Sequence, residues 1–257
     1  MIDIRPIHDR ESEAFLRLMC EVFGLDFNRA YDVFYTEPLF DINRKWALFE
    51  GREMVSILTT SPLIFGWGRA IGIAGVATRK ERQGEGHAST LLQKVMKESA
   101  RNGETGSLLF ARELSLYERN GFEALDRVIR APIKTEMEEG FPDSFEFETV
   151  VEKYDKWSQA HPDRLRRDEK RWDYWRWHYR ICTPFQSGYL SIEPGLLREP
   201  IYESPVDSLP LPPGTDWFGT TFMADQLEIP LHDPVVELYL MGHNVPGIPQ
   251  LFMTDQF

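Results

Sequence analysis

Glycines at 84 and 86, inside the polar run Arg79-Lys80-Glu81-Arg82-Gln83-Gly84-Glu85-Gly86, are the residues of this 257-residue chain whose type and spacing most directly suggest chemistry. With no Cβ, two glycines one residue apart let the backbone turn sharply and approach a ligand closely. His87, Ala88 and Ser89 then open a stretch of helical periodicity. The first N–H groups of a helix have no internal acceptor and carry the positive end of its dipole, so such a junction can seat a phosphate or diphosphate. The same residues also suit a plain glycine turn. A dinucleotide fingerprint would need a third glycine where Ser89 stands, and a Walker loop would need Gly-Lys-Ser/Thr, which is absent. The six histidines show no ligand spacing and there is no GxSxG elbow, so neither a metal nor serine-hydrolase chemistry is expected.

The flanking elements must hold this loop. Ile71 to Ala77 is a short apolar run that reads as a buried strand, and Ala88, Leu91, Leu92, Val95 and Ser99 form the stripe of an amphipathic helix. Upstream, Ile2 to Arg5 reads as a strand, Asp9 to Phe23 and Phe27 to Tyr35 as helices, and Lys45 to Glu50 with Glu53 to Thr60 as a hairpin across Gly51-Arg52. Downstream come a strand at Ser107 to Ala111, a helix at Glu113 to Asn120 capped by Gly121 with Phe122 packing back, and a strand at Val128 to Ile133.

Gln83, Gly86 and Ala88 fit the pattern Gln/Arg-x-x-Gly-x-Gly/Ala, which resembles the acetyl-CoA diphosphate loop of the GNAT superfamily of N-acetyltransferases. Leu116-Tyr117-Glu118-Arg119-Asn120-Gly121-Phe122 matches the family's downstream Tyr-x-x-x-Gly-Phe signature. The resemblance covers residues 1–135 and implies an α/β (α+β) GNAT fold with a central mixed, mostly antiparallel sheet. It implies that Tyr117 is the general acid that protonates the leaving thiolate. It also implies that the backbone of Val76, Ala77 and Thr78 pairs with the pantetheine arm, and that the amides of Gln83, Gly84, Glu85, Gly86, His87, Ala88 and Ser89 hold the diphosphate. Arg112 and Glu113 are expected near the thioester. Glu85 departs from the family, many of whose members carry a basic residue there, which shifts the expected phosphate affinity onto amides and onto Arg79, Lys80 or Arg82. Asp26 and Glu37, in or beside the helical pair that walls the acceptor site in this fold, are candidate substrate-binding carboxylates.

An acidic linker at 136–142 opens a second unit, expected over 141–257 as a reduced GNAT-like domain. Within it Phe145 to Val151 alternates like a strand, Asp163 to Arg180 reads as a helix, and Tyr189 to Ile192 with Ile201-Tyr202 as a hairpin. Trp217 to Met223 and Val235 to Met241 read as further strands. Trp172, Trp175 and Tyr179 share a helical face, which reads as a core stripe with solvated arginines between rather than as a base-stacking surface. The whole is similar to a shortened acetyltransferase of the enhanced-intracellular-survival type, without that group's third, sterol-carrier-like domain. That group places its terminal carboxylate in the active site, which makes the terminal carboxylate of Phe257 a candidate catalytic base by resemblance.

Charge and composition narrow the partners. The net charge of −12 lies in the second part of the chain, since residues 1–135 hold 19 basic and 19 acidic side chains and the remainder 10 and 22. An acidic surface disfavours a nucleic-acid backbone and favours a cationic partner, or serves solubility alone. No apolar run has membrane-spanning length, and Cys20 and Cys182 are too few for a disulfide framework, so a cytoplasmic location is expected. The leading expectation is acetyl-CoA-dependent transfer to a primary amine of a small cationic acceptor. A non-catalytic acyl-CoA sensor and an RNA-binding module are the competing readings.

Overall fold

A computed structural model describes residues 2–135, 146–178 and 181–257. The expected linker at 136–142, the start of the strand expected from Phe145, and Tyr179 and Arg180 lie outside the described residues. The chain opens with β1 (Ile2–Pro6), α1 (Ser12–Phe23), α2 (Phe27–Thr36), β2 (Lys45–Glu50), β3 (Glu53–Phe65) and β4 (Gly68–Thr78). It continues through α3 (His87–Arg101), β5 (Glu104–Ala111), α4 (Ser115–Glu118) and β6 (Glu123–Pro132). The later elements are α5 (Phe147–Gln159), α6 (Glu169–His178), β7 (Cys182–Phe185), β8 (Gly188–Glu193), β9 (Leu196–Ile201), β10 (Asp216–Thr220), α7 (Thr221–Gln226) and β11 (Val235–His243).

All eleven strands join one sheet in the order β1-β2-β3-β4-β5-β11-β6-β10-β9-β8-β7. It is mixed and mostly antiparallel, with β4 and β5 parallel and β10 and β9 parallel. β11, from the end of the chain, lies between β5 and β6. One face of the amino-terminal strands is covered by α3, whose Leu91, Leu92 and Val95 are fully buried against Leu48, Leu58 and Ile71. The other is covered by α1 and α2, through Phe15, Leu16, Leu18 and Phe34. Further along the sheet, α5 and α6 bury Tyr154, Trp172 and Trp175 against Tyr189, Leu197 and Trp217.

Several expected elements differ. The stretch expected as a strand from Phe145 to Val151 is the start of helix α5, because Phe147, Val150, Val151 and Tyr154 recur at helical spacing and that face meets the core. The helix expected from Asp163 begins only at Glu169. Its Arg171 is not solvated: it is buried, donating to the Pro62 carbonyl at 3.0 Å. The strand expected over Trp217 to Met223 stops at Thr220, whose hydroxyl accepts from the Met223 amide and caps α7. The helix before Gly121 is a single turn, Ser115–Glu118.

Candidate active site

Two parallel strands separate to make the site. β4 and β5 pair only as far as Ile73 and Leu109. Beyond that, the β5-facing edge of β4 has no strand beside it. The register between β3 and β4 also shifts between Ile57/Ala77 and Thr59/Ala74. Gly75 absorbs that irregularity with φ of 60°, a left-handed conformation that suits glycine.

The loop after β4 supplies free donors. Gly84 and Gly86 both have φ of 83°, and a Cβ built on either would meet nothing within 4 Å. α3 has no side-chain cap, and the amides from Gly84 to Ser89 make no hydrogen bond within the described chain. Such an array of unpaired N–H groups at a helix start fits an anionic group. A cavity of about 320 Å³ lies over them. Of the residues expected to bind the cofactor, Val76, Thr78, Gln83 and Gly84 line this cavity, as do Gly86, His87, Ala88 and Ser89. Ala77 instead faces the α1–α2 core. Glu85 turns aside to Arg82 at 2.8 Å and to His87 at 3.0 Å. Arg112 and Glu113 are exposed beyond the end of β5, with Arg112 3.8 Å from Glu237.

Two of the loop's three basic residues, Arg82 and Arg79, are already engaged. Arg82 contacts Glu50 at 2.7 Å as well as Glu85, and those carboxylates hold its guanidinium firmly charged while their own pKa values are lowered by it. Arg79 donates to the Met54 carbonyl at 2.8 Å. Arg119, which the sequence did not single out, lines the cavity from the α4 side together with Leu116. Its only earlier signal was its place two residues after Tyr117.

Tyr117 sits on the α4 turn, whose end is fixed by Gly121 at φ of 83° and by the Phe122 amide donating to the Tyr117 carbonyl at 3.1 Å. Asn120 ties this turn to α3, donating to Ser89 Oγ at 3.0 Å and to the Leu116 carbonyl at 2.7 Å. The phenol ring is half-buried, edge-on to Phe122 at 6.0 Å. Its hydroxyl has no hydrogen-bond partner among the described residues, and burial raises its pKa. Tyr117 is not among the residues lining either cavity described here, although its neighbour Leu116 is.

A second cavity, of about 510 Å³, lies on the α1–α2 side of the sheet. Asp26 and Glu37 both line it. Asp26 caps α2 by accepting from the Arg29 amide at 2.9 Å, whereas Glu37, at the other end of α2, makes no such bond. Burial pushes the Glu37 carboxyl above the usual carboxylate range, with Lys45 and Arg171 opposing. Residues from the second part of the chain close the cavity: Tyr174 of α6, Gln256 and Phe257. The Tyr174 phenol is pushed up to about 12, first by burial and then by the Glu37 charge. The Phe257 ring lies on Gly72, where a Cβ would stand 2.3 Å from it, and 5.2 Å from the Phe110 ring. Lys45, Tyr174 and Gln256 were not anticipated. For Lys45 the signal was available, since it directly precedes the apolar run Trp46-Ala47-Leu48-Phe49 and is in step with the buried Ala47 and Phe49.

The two cavities adjoin at β4, where Gly75 lines the larger and Val76 the smaller. On α1 the same division falls between Met19 and Val22, about one turn apart.

No curated protein matches the sequence. Solved structures share the fold over nearly the whole chain. A GCN5-related N-acetyltransferase from Anabaena variabilis aligns at 15% identity, with 94% of this chain and 72% of that one covered and a TM-score of 0.68. A putative acetyltransferase from Pyrococcus horikoshii aligns at 13% identity over 99% of this chain and 92% of that one, TM-score 0.64. Eis1 from Mycobacterium abscessus aligns at 13% identity over 93% and 73%, TM-score 0.61. At these identities the likeness bears on the fold. The family model described as acetyltransferase (GNAT) domain matches residues 3–125, which contain the splayed strands, the glycine loop and Tyr117. By that match residues 3–125, just under half of the chain, are similar to the acetyltransferase domains of the GNAT family.

Proposed function

We propose that the protein transfers an acetyl group from acetyl-CoA to a primary amine of a small cationic acceptor. The observation that carries this reading is that adjacent residues, Val76 and Gly75, line the two cavities, the first with unpaired amides and the second with Glu37, a half-buried carboxylate that has no ion pair among the described residues. GNAT acetyltransferases take their acetyl group from acetyl-CoA, which when bound supplies the thioester carbonyl that the amine attacks. The amides from Gly84 to Ser89 hold the diphosphate, and the unpaired edge of β4 from Val76 to Thr78 receives the peptide-like pantetheine arm.

Glu37 binds the acceptor as its ammonium and takes a proton from it, because an amine of pKa ~10.4 is almost wholly protonated at neutral pH. A carboxyl whose pKa is raised by burial is the better base for this step. It stands ahead of Asp26, which is committed to capping α2, and ahead of residue 257, whose ring on Gly72 is the part the structure fixes. The new N–C bond forms as the C–S bond breaks, the amide nitrogen loses its second proton, and the departing sulfur takes one from Tyr117. The products are an N-acetyl amide and the free thiol of CoA, with one net proton released.

A sensor that binds acyl-CoA without turnover is the second reading, and the absence of Tyr117 from both cavity linings favours it. Calorimetric titration with acetyl-CoA, followed by thiol release across a panel of amines, separates the two. Binding with acceptor-dependent thiol release is expected; binding with no release for any amine would establish the sensor.

A further inference from the structure

Lys45 is buried to 6% exposure and lines the larger cavity. Its ammonium makes no hydrogen bond, and no carboxylate oxygen lies within 4.0 Å of it. Its contacts are the faces of Phe34 and Phe40, at 5.2 and 5.6 Å from the ring centres. Two rings offset only part of the cost of removing an ammonium from water. Glu37 and then Asp41 act on it from beyond ion-pair distance, and Asp41 is occupied by the Asn43 amide at 2.9 Å. Glu37 faces the same cavity, also without an ion pair. The cavity therefore presents one buried positive group and one half-buried negative group that form no ion pair with each other among the described residues. Beside them the exposed Arg29 and Asp26 repeat the balance, so the lining side chains sum to a formal charge of zero. That balance does not suit a polycation, which would gain from Glu37 and Asp26 but be opposed by Lys45 and Arg29.

We infer that the acceptor carries a carboxylate as well as its amine, the carboxylate seated on Lys45 between Phe34 and Phe40 and the ammonium held by Glu37. An amino acid or a similar zwitterion satisfies both groups at once, and β3 adds the Thr59 hydroxyl, which has no partner in the protein. This rests on the larger cavity being the acceptor site of the proposed reaction.

The test uses matched pairs that differ only in the carboxylate: L-phenylalanine with phenethylamine, and L-lysine with cadaverine. Thiol release by the full chain is expected to favour the carboxylated member by at least about tenfold in kcat/KM, since removing one side of a buried charge pair costs that much or more. In Lys45→Met that ratio collapses toward one, chiefly through KM, and Lys45→Arg restores part of it. Calorimetric titration of the same compounds into the CoA-loaded protein reads the same preference without turnover. Lys45→Arg and the thermal unfolding midpoint separate lost charge from lost fold. Thiol release or binding that ignores the carboxylate, or a Lys45→Met loss equal for both members of a pair, overturns the inference. Carboxylate-dependent binding with no thiol release overturns the proposed enzymatic activity and leaves the inference standing.

Discussion

The Tyr117 hydroxyl meets no acceptor among the described residues, and burial holds its proton on through the neutral range. Removing that hydroxyl removes a proton donor without removing a packing surface, because the ring keeps its edge contact with Phe122. Tyr117→Phe is therefore expected to lower kcat by about 10²-fold or more, the range of a general acid, while acetyl-CoA affinity by calorimetry changes little. Glu37 allows a separate test by pH. Its folded pKa is raised, and the form that accepts a proton is the ionised one, so activity is present above that pKa and lost below it. The acid limb of kcat is expected to lie above the ordinary carboxylate value of about 4.3 and to vanish in Glu37→Gln, whose residual kcat falls by about 10²-fold. The sequence points to Tyr117 through its seven-residue motif and to Glu37 only through the resemblance, which sets it beside the helical pair that walls the acceptor site. Tyr174 was not, because nothing local distinguishes it from the tryptophans that bury the neighbouring face of α6.

The strand–loop–helix from β4 to α3 is the most self-determined part of the fold. An apolar run, two glycines and a stripe at helical spacing agree with one another, and the observed bounds of α3 follow. Its weak point is Gly86, the residue at which the chain turns from the loop into α3 with φ of 83°. A Cβ there meets nothing within 4 Å, so the expected loss comes from the backbone conformation and from a side chain over the amides. Gly86→Val is expected to cost about 1–2 kcal/mol of stability in denaturant unfolding. The same variant is expected to weaken acetyl-CoA binding more than tenfold, since the loop can no longer aim its N–H groups together. The reverse situation holds in α5. Over Phe145 to Val151 alternation and helical spacing are both present, and only the face presented by Val150 and Tyr154 to the second core decides between them. That decision is tertiary and was not readable locally.

The sheet order carries what local pattern could not. β11 comes more than a hundred residues after β6 yet lies between it and β5, pairing Tyr239 with Ala111 on one side and Val235 with Arg130 on the other. Tyr174, Gln256 and Phe257 likewise reach the larger cavity from beyond residue 135. A buried ionic cluster fixes the last of these segments. Arg167 joins Asp255 at 2.7 Å and also pairs with Glu199, with all three side chains fully buried. Truncation at residue 135 would strip β11 from between β5 and β6 and β10 from the other edge of β6. It would expose apolar faces at Leu108, Leu109, Val128 and Ile129 along strands with unpaired N–H and C=O groups, a template for aggregation. The isolated 1–135 segment is therefore expected to show no cooperative unfolding transition by circular dichroism and to self-associate in analytical ultracentrifugation. A soluble segment with a sharp transition and retained acetyl-CoA binding would mean that the glycine loop is held by the amino-terminal elements alone, with the second part of the chain needed only to wall the acceptor.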